Sequence, residues 1–263
     1  RPTQRAGSVG VALEQGLVSV VFQPILDLRS GETFAFEVLA RCRAKGLENP
    51  MHLFETSVDQ GLAGALGRRV RELAIGGCAD YPLFLNVHPA EFSDRWLVQP
   101  DDPIFEHAPG IYLEITESVP MSHHELVKGV ISEVRSKGVG LVVDDLGAGY
   151  SNLRYISDLA PDLVKVDRGL VMGLDGDRRR RTLLGALARL CNDLGAEVVA
   201  EGIETHAELD AVRDCGVRFV QGYLIARPGS AQPTSLDTGG SPASRHRNQA
   251  VRRRTRTSFK PPR

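Results

Sequence analysis

Two adjacent acids carry the first chemical signal in this 263-residue chain. Asp144 and Asp145 close the apolar run 141–143 and lead at once into Leu146-Gly147-Ala148-Gly149-Tyr150-Ser151-Asn152-Leu153. Successive side chains of a regular strand point to opposite faces, so neighbouring carboxylates converge on one site only where the strand is ending. Held side by side they repel, and burial raises that cost. A divalent cation removes the conflict, and adjacent carboxylates suit one metal or a pair. An Asp-Gly turn with two solvated acids explains this pair equally well by itself. Recurrence of the pattern decides between the two.

The surrounding chain repeats it. Residues 20–26 and 33–39 read as strands joined by the short turn 27–31, which forces them antiparallel. Helical spacing runs over 9–16, and helical material fills 50–78. Strands then follow at 83–87, 111–116, 140–144, 163–167, 197–201 and 218–221. Helices are predicted between them at 122–137, 151–158, 179–194 and 206–215, with a helix-like or irregular stretch after residue 87. Helix-sized gaps between strands imply βαβ units and a parallel sheet. Eight strands in this length favour closure. The fold class is therefore α/β, a (β/α)8 TIM-like barrel with one antiparallel strand near the N-terminus.

Nearly every strand sets a bulky apolar phase against one polar residue near its end. Phe34, Phe36 and Val38 oppose Glu37; Leu83, Leu85 and Val87 oppose Asn86; Ile111, Leu113 and Ile115 oppose Glu114. Leu141 and Val143 oppose Asp144, Val164 and Val166 oppose Lys165, Val198 and Ala200 oppose Glu201, and Val220 sits beside Gln221. In a barrel the apolar phase meets the helices and the other phase faces the interior. The C-terminal mouth would then gather Glu37, Asn86, Glu114, Asp144, Asp145, Lys165, Glu201 and Gln221. A single polar strand end has a dull explanation; the whole set does not, because barrel active sites are assembled from many strand ends. Oxygen ligands select Mg²⁺ or Mn²⁺, and the lack of His or Cys excludes a structural zinc site. A two-metal site of this kind suits phosphodiester hydrolysis. Lys165 stays protonated among so many acids and can hold the attacking water or offset phosphate charge.

The net charge of −1 hides an asymmetry. Residues 229–263 hold eight Lys/Arg and one Asp, which leaves 24 basic and 32 acidic residues in the body. The expected domains are therefore a barrel over 1–228 and a basic, disordered tail over 229–263. An acidic body with a short basic run argues against specific nucleic-acid binding. Cys42, Cys78, Cys191 and Cys215 are scattered, which suits free thiols in a reducing, cytoplasmic setting. No run approaches a membrane span or a signal peptide. Arg1 in first place raises the expectation of a longer parent chain.

The same residues resemble the EAL family, cyclic-di-GMP phosphodiesterases that open the cyclic dinucleotide to linear pGpG. The resemblance spans about 18–228. Glu37-Val38-Leu39-Ala40-Arg41 is similar to the family signature, and Phe22-Gln23-Pro24-Ile25 to its opening strand. Leu113-Glu114-Ile115-Thr116-Glu117-Ser118, Asp144 to Leu153, Val164-Lys165-Val166-Asp167, Ala200-Glu201-Gly202-Ile203-Glu204 and Gln221-Gly222-Tyr223-Leu224 complete the match. The resemblance implies that Glu37, Asn86, Glu114 and Asp144 hold one Mg²⁺ or Mn²⁺, with Asp144 shared and Asp145 helping to hold a second. It implies that Lys165 and Glu201 assist the water and that Glu117 braces the loop 147–149. Gln23, Leu39, Arg41 and Gln221 would contact the dinucleotide, Arg41 through a phosphate. A homodimer and an upstream sensory or GGDEF domain would be the partners. Leu146 and Ala148 depart from the family's Phe and Thr, Ala226 from a Gly, and Cys42 from a frequent Trp. The competing reading, a non-catalytic dinucleotide receptor or docking module, is disfavoured because no acidic ligand is missing.

Overall fold

A four-residue link between two long strands starts the barrel. β1 (Val18–Asp27) and β2 (Glu32–Cys42) form an antiparallel ribbon in which Gln23 pairs with Glu37. Six shorter strands follow, β3 (Leu83–Asn86), β4 (Ile111–Thr116), β5 (Gly140–Leu146), β6 (Leu163–Val166), β7 (Glu197–Ala200) and β8 (Phe219–Val220). They close in sequence order, parallel from β2 to β8, with β1 antiparallel to both of its neighbours. In this computed structural model the described residues are 7–93, 97, 99–116, 124–147 and 153–236.

The helices are α1 (Val9–Glu14), α2 (Pro50–Asp59), α3 (Ala63–Gly77), α4 (Ala90–Ser93), α5 (His124–Ser136), α6 (Leu153–Leu159), α7 (Arg168–Val171), α8 (Arg178–Asp193) and α9 (His206–Asp214). Their starts are chemical. Asn49 caps α2 ahead of Pro50, and Asp177 accepts from Arg179 and Arg180 at the head of α8. Thr205 and Glu208 form a reciprocal capping box on α9. Between β3 and β4 the expected irregular stretch includes the short α4 and the 3₁₀ turn Pro103–Phe105. Among the described residues no helix is long and apolar enough to cross a membrane, and all four cysteines are free.

Strand alternation sorts the barrel into two tiers. Phe36, Val38, Leu83, Leu85, Ile111, Leu113, Leu141 and Val143 point outward into one helix-facing core, and Val164, Val166, Val198, Ala200 and Val220 into another. The opposite phase fills the interior floor with Ile25, Ala35, Phe84, Val142, Leu163, Val199 and Phe219. Two residues farther along each parallel strand, on the same face, stands the polar residue. On antiparallel β1 the order reverses, and Gln23 precedes Ile25 by two.

Phe34 departs from its expected outward place. Ile25 pairs with Ala35 and Leu26 with Thr33, so Phe34 is the extra residue of a β-bulge. The slip turns its ring inward, 4.4 Å from Phe219 and near Phe84 and Tyr112, and the barrel floor is sealed by aromatic rings.

The chain also continues past the expected boundary at 228. Gly229 exchanges backbone hydrogen bonds of 2.7 and 2.9 Å with Phe22, and Leu236 N–H donates to Gly31 at 2.8 Å. Thr234 accepts from the Thr33 backbone and hydroxyl and donates back to that hydroxyl. Residues 229–236 therefore strap the edge of the ribbon, and the remainder of the expected tail, 237–263, lies outside the described residues. A chain ending at Pro228 should melt below one ending at Leu236. Losing these bonds, less the ordering entropy they offset, should cost about 1–3 kcal/mol, or about 3–10 °C in Tm. Differential scanning calorimetry on the two chains checks this; equal Tm values would show the strap to be energetically idle.

Candidate active site at the barrel mouth

The polar tier converges on one ammonium group. Lys165 projects from β6 into the barrel and is 1% exposed. Its Nζ lies 2.7 Å from Glu201 Oε1, 3.0 Å from Glu114 Oε1, and 3.4 Å from both Glu37 Oε1 and Asp144 Oδ2. Neutral side chains complete the rim. Gln221, just beyond β8, donates 2.6 Å to Glu37 Oε2 and 3.2 Å to Gln23 Oε1. Asn86 donates 3.3 Å to the other Glu37 oxygen. Gln23 in turn donates to the Ala226 carbonyl at 3.2 Å. That carbonyl is a contact the sequence could not signal, because any residue supplies one.

Asp145 reaches the site by a route other than a strand end. β5 runs on to Leu146, which pairs with Val166, and the register slips between Val143 and Leu146. Within that bulge Asp145 has φ +62°, left-handed backbone that Asp tolerates better than most residues. Asp144 points inward, and its Oδ1 accepts from the Asp145 N–H at 2.8 Å. Oxygens of Asp144, Asp145 and Glu201 lie within 4.8 Å of one another. The two neighbours thus share a site because the backbone twists between them while the strand continues.

The electrostatics are lopsided. Glu37, Glu114, Asp144, Asp145 and Glu201 offer five carboxylates to one ammonium, a formal charge of −4 when all are ionised. Burial pushes the Glu114 carboxyl well above its usual range, with Lys165 opposing and Glu37 and Asp144 adding to the rise. Burial likewise pushes Glu201 up to about 7, against the pull of Lys165. Burial alone would discharge Lys165, but Glu114, Glu37, Glu201 and Asp144 outweigh it and hold the ammonium charged.

Glu114 supplies the test of a cation's fit. Both its oxygens are buried; Oε1 meets only the Lys165 ammonium, at 3.0 Å, and Oε2 has no hydrogen-bond donor among the described residues. Buried acceptors without donors are costly. An all-oxygen set with excess negative charge matches a hard divalent cation, and two such ions would cancel the formal charge. Glu37, Asn86, Glu114, Asp144 and Asp145 are the residues that could hold them, with Glu201 in the same cluster.

Leu39 and Arg41 share the inward phase of Glu37 but stand above the rim. Past Val38 the ribbon pairs only with itself, Leu39 with Val21 and Arg41 with Ser19. Arg41 is four residues beyond Glu37, about 13 Å along the strand, and its Nη1 donates to the Ala40 carbonyl at 2.8 Å. Glu117, assigned to brace the loop 147–149, lies outside the described residues.

The EAL domain family profile matches residues 6–228. The uncharacterized protein y4lL of Sinorhizobium fredii is 30% identical over 227 residues, covering 82% of this chain and 27% of that protein. The cyclic di-GMP phosphodiesterase NbdA of Pseudomonas aeruginosa is 30% identical over 231 residues, covering 82% of this chain and 30% of that protein. The PaMucR phosphodiesterase, solved in complex with c-di-GMP, superposes with a TM-score of 0.69 at 26% identity over 85% of this chain and 96% of that one. The chain spans less than a third of the length of these two curated relatives.

Replacing the ammonium exposes what it holds. Lys165→Met should cost about 3 kcal/mol by leaving buried acids uncompensated, a fall in Tm of about 6–12 °C. Mn²⁺ should raise the Tm of the variant more than that of the parent. Differential scanning fluorimetry with and without Mn²⁺ reads both; an unchanged Tm in the absence of metal would mean that the acids do not depend on Lys165.

Proposed function

The chain belongs to the EAL domain family, and from that premise we propose that it is a metal-dependent phosphodiesterase hydrolysing cyclic-di-GMP to linear pGpG. The observation that carries the reading is the acidic tier: Lys165 inside four carboxylates, with Glu114 buried and its Oε2 lacking a donor among the described residues. A receptor that no longer catalyses has no use for so costly an arrangement.

Mg²⁺ or Mn²⁺, when bound, would supply an activated water and neutralise charge on the phosphodiester. The protein does the rest. Glu37, Asn86, Glu114 and Asp144 are assigned to one ion, and Asp144 with Asp145 to a second. Lys165 cannot lose its proton among the acids, so it serves as a fixed positive charge that orients the water and attracts the phosphate. Glu201, pushed up to about 7 by burial before any ion is present, touches Nζ and can take the proton the water releases. With a cation held beside it, Glu201 would be ionised more readily and so could act as the acceptor.

Substrate recognition falls to the rim and the ribbon. Gln23 and Gln221 are tied to each other and to Glu37, so they present their amides in fixed directions. Leu39 offers an apolar surface above them, and the Arg41 guanidinium suits a phosphate through its forked donors. Glu117 is assigned to brace the glycine loop that follows Asp145. A homodimer and an upstream sensory or GGDEF domain remain parts of this proposal.

The test is incubation with cyclic-di-GMP and Mg²⁺ or Mn²⁺, followed by chromatography for pGpG. Chelation should abolish turnover, and Ca²⁺, with looser coordination, should not sustain it. Glu37→Ala and Asp144→Ala should each lower kcat by at least about a thousandfold, equivalent to about 4 kcal/mol. Arg41→Ala should instead weaken binding about 10- to 100-fold through loss of a charge-assisted contact. Full turnover in excess chelator would overturn the proposed mechanism, and unchanged affinity in Arg41→Ala would overturn the proposed substrate pose.

A further inference from the structure

A second cluster of buried charge lies outside the mouth, among α3, α4 and the 3₁₀ turn before β4. Arg71 on α3 is 2% exposed, Glu91 on α4 is 0% and Asp102 is 1%. Arg71 Nη1 donates to Glu91 Oε2 at 2.6 Å, while Nε and Nη2 lie 3.0 and 2.8 Å from Asp102 Oδ2. One guanidinium therefore ties together two points of the β3–β4 connection, where most βα units of a barrel place a full-length helix. A methyl group at Gly67, one turn earlier on α3, would overlap the Glu91 carboxylate, so the chain leaves that space for the acid.

The clamp reaches back to His88, two residues after the end of β3. Glu91 Oε1 accepts from the His88 N–H at 3.2 Å, and the Glu91 N–H donates to the His88 carbonyl at 2.9 Å. The Ala90 N–H closes the same turn on His88 Nδ1 at 3.2 Å. Val87 N–H is fixed to the Glu114 carbonyl at 3.0 Å. Asn86 immediately precedes this locked turn and is exposed at the rim, so its own packing does little to orient it.

We propose that Arg71 is a positioning residue for Asn86: through Glu91 and Asp102 it fixes the turn that aims the Asn86 side chain at Glu37 and the mouth. Arginine is needed because a fork can bridge two carboxylates, whereas an ammonium group is a point charge. The significance of Asn86 for a metal rests on the function proposed above; its orientation does not.

The experiment reads the Asn86 amide directly. Five asparagines, Asn49, Asn86, Asn152, Asn192 and Asn248, give few side-chain signals in protein labelled with ¹⁵N-asparagine. Asn86→Ala identifies the pair that belongs to Asn86. Arg71→Lys keeps the charge and loses the fork. Gly67→Ala displaces Glu91 with every charge in place, and covers the case in which Arg71→Lys does not fold. Both variants should shift or broaden the Asn86 pair and leave those of Asn49, at the cap of α2, and Asn192, on α8, where they were. Mn²⁺ affinity, measured by calorimetry, should weaken about tenfold, with no further loss when either change is added to Asn86→Ala. An Asn86 signal that stays in place in the folded variants, or one that moves together with all the others, overturns the proposal. Absence of Mn²⁺ binding in the parent would count against the proposed function alone, since the amide signal still decides the role of Arg71.

Discussion

The mouth depends on one ammonium ion in a place where solvent cannot reach it. Four carboxylates within 3.4 Å of Lys165 Nζ would force one another to protonate or open the barrel if that charge were absent. With it they stand together, yet remain overcharged, so the site is stable enough to fold and unsatisfied enough to bind cations. The amides of Gln221 and Asn86 moderate the same tension by engaging both oxygens of Glu37.

That tension is tolerable because of what lies beneath it. The apolar floor excludes water from below, and each polar residue stands two positions along its strand from a floor residue on the same face. Strand order, parallel direction and spacing thus deliver eight functional groups to one level without any long-range design beyond a period of two. Antiparallel β1 joins the scheme only because its polar residue precedes the apolar one. The reversed direction places Gln23 opposite Glu37.

Most of this was legible in the sequence, because period-two patterning and polar strand ends are local signals. Glu37, Asn86, Glu114, Asp144, Lys165, Glu201 and Gln221 could be placed at one mouth by alternation alone. What escaped were the breaks in alternation. Phe34 reads as an outward residue until a bulge opposite Ile25 and Leu26 turns it inward, and bulges leave no mark in a hydrophobic pattern. Asp145 looked like the end of a strand, whereas the strand continues through a left-handed residue. Residues 229–236 read as tail because their bonds are made by backbone atoms and a threonine hydroxyl, which composition does not reveal. The Arg71 cluster was hidden for a related reason, since charged residues in an irregular stretch look solvated until the fold buries them.

The aromatic floor has a consequence for traffic. Phe34, Phe84, Tyr112 and Phe219 stop the barrel from below, so the structure is a blind cup rather than a tube. A molecule that settles on the polar tier must depart through the opening by which it arrived. An arriving ligand and a departing one therefore compete for the same doorway, beside the same projecting ribbon.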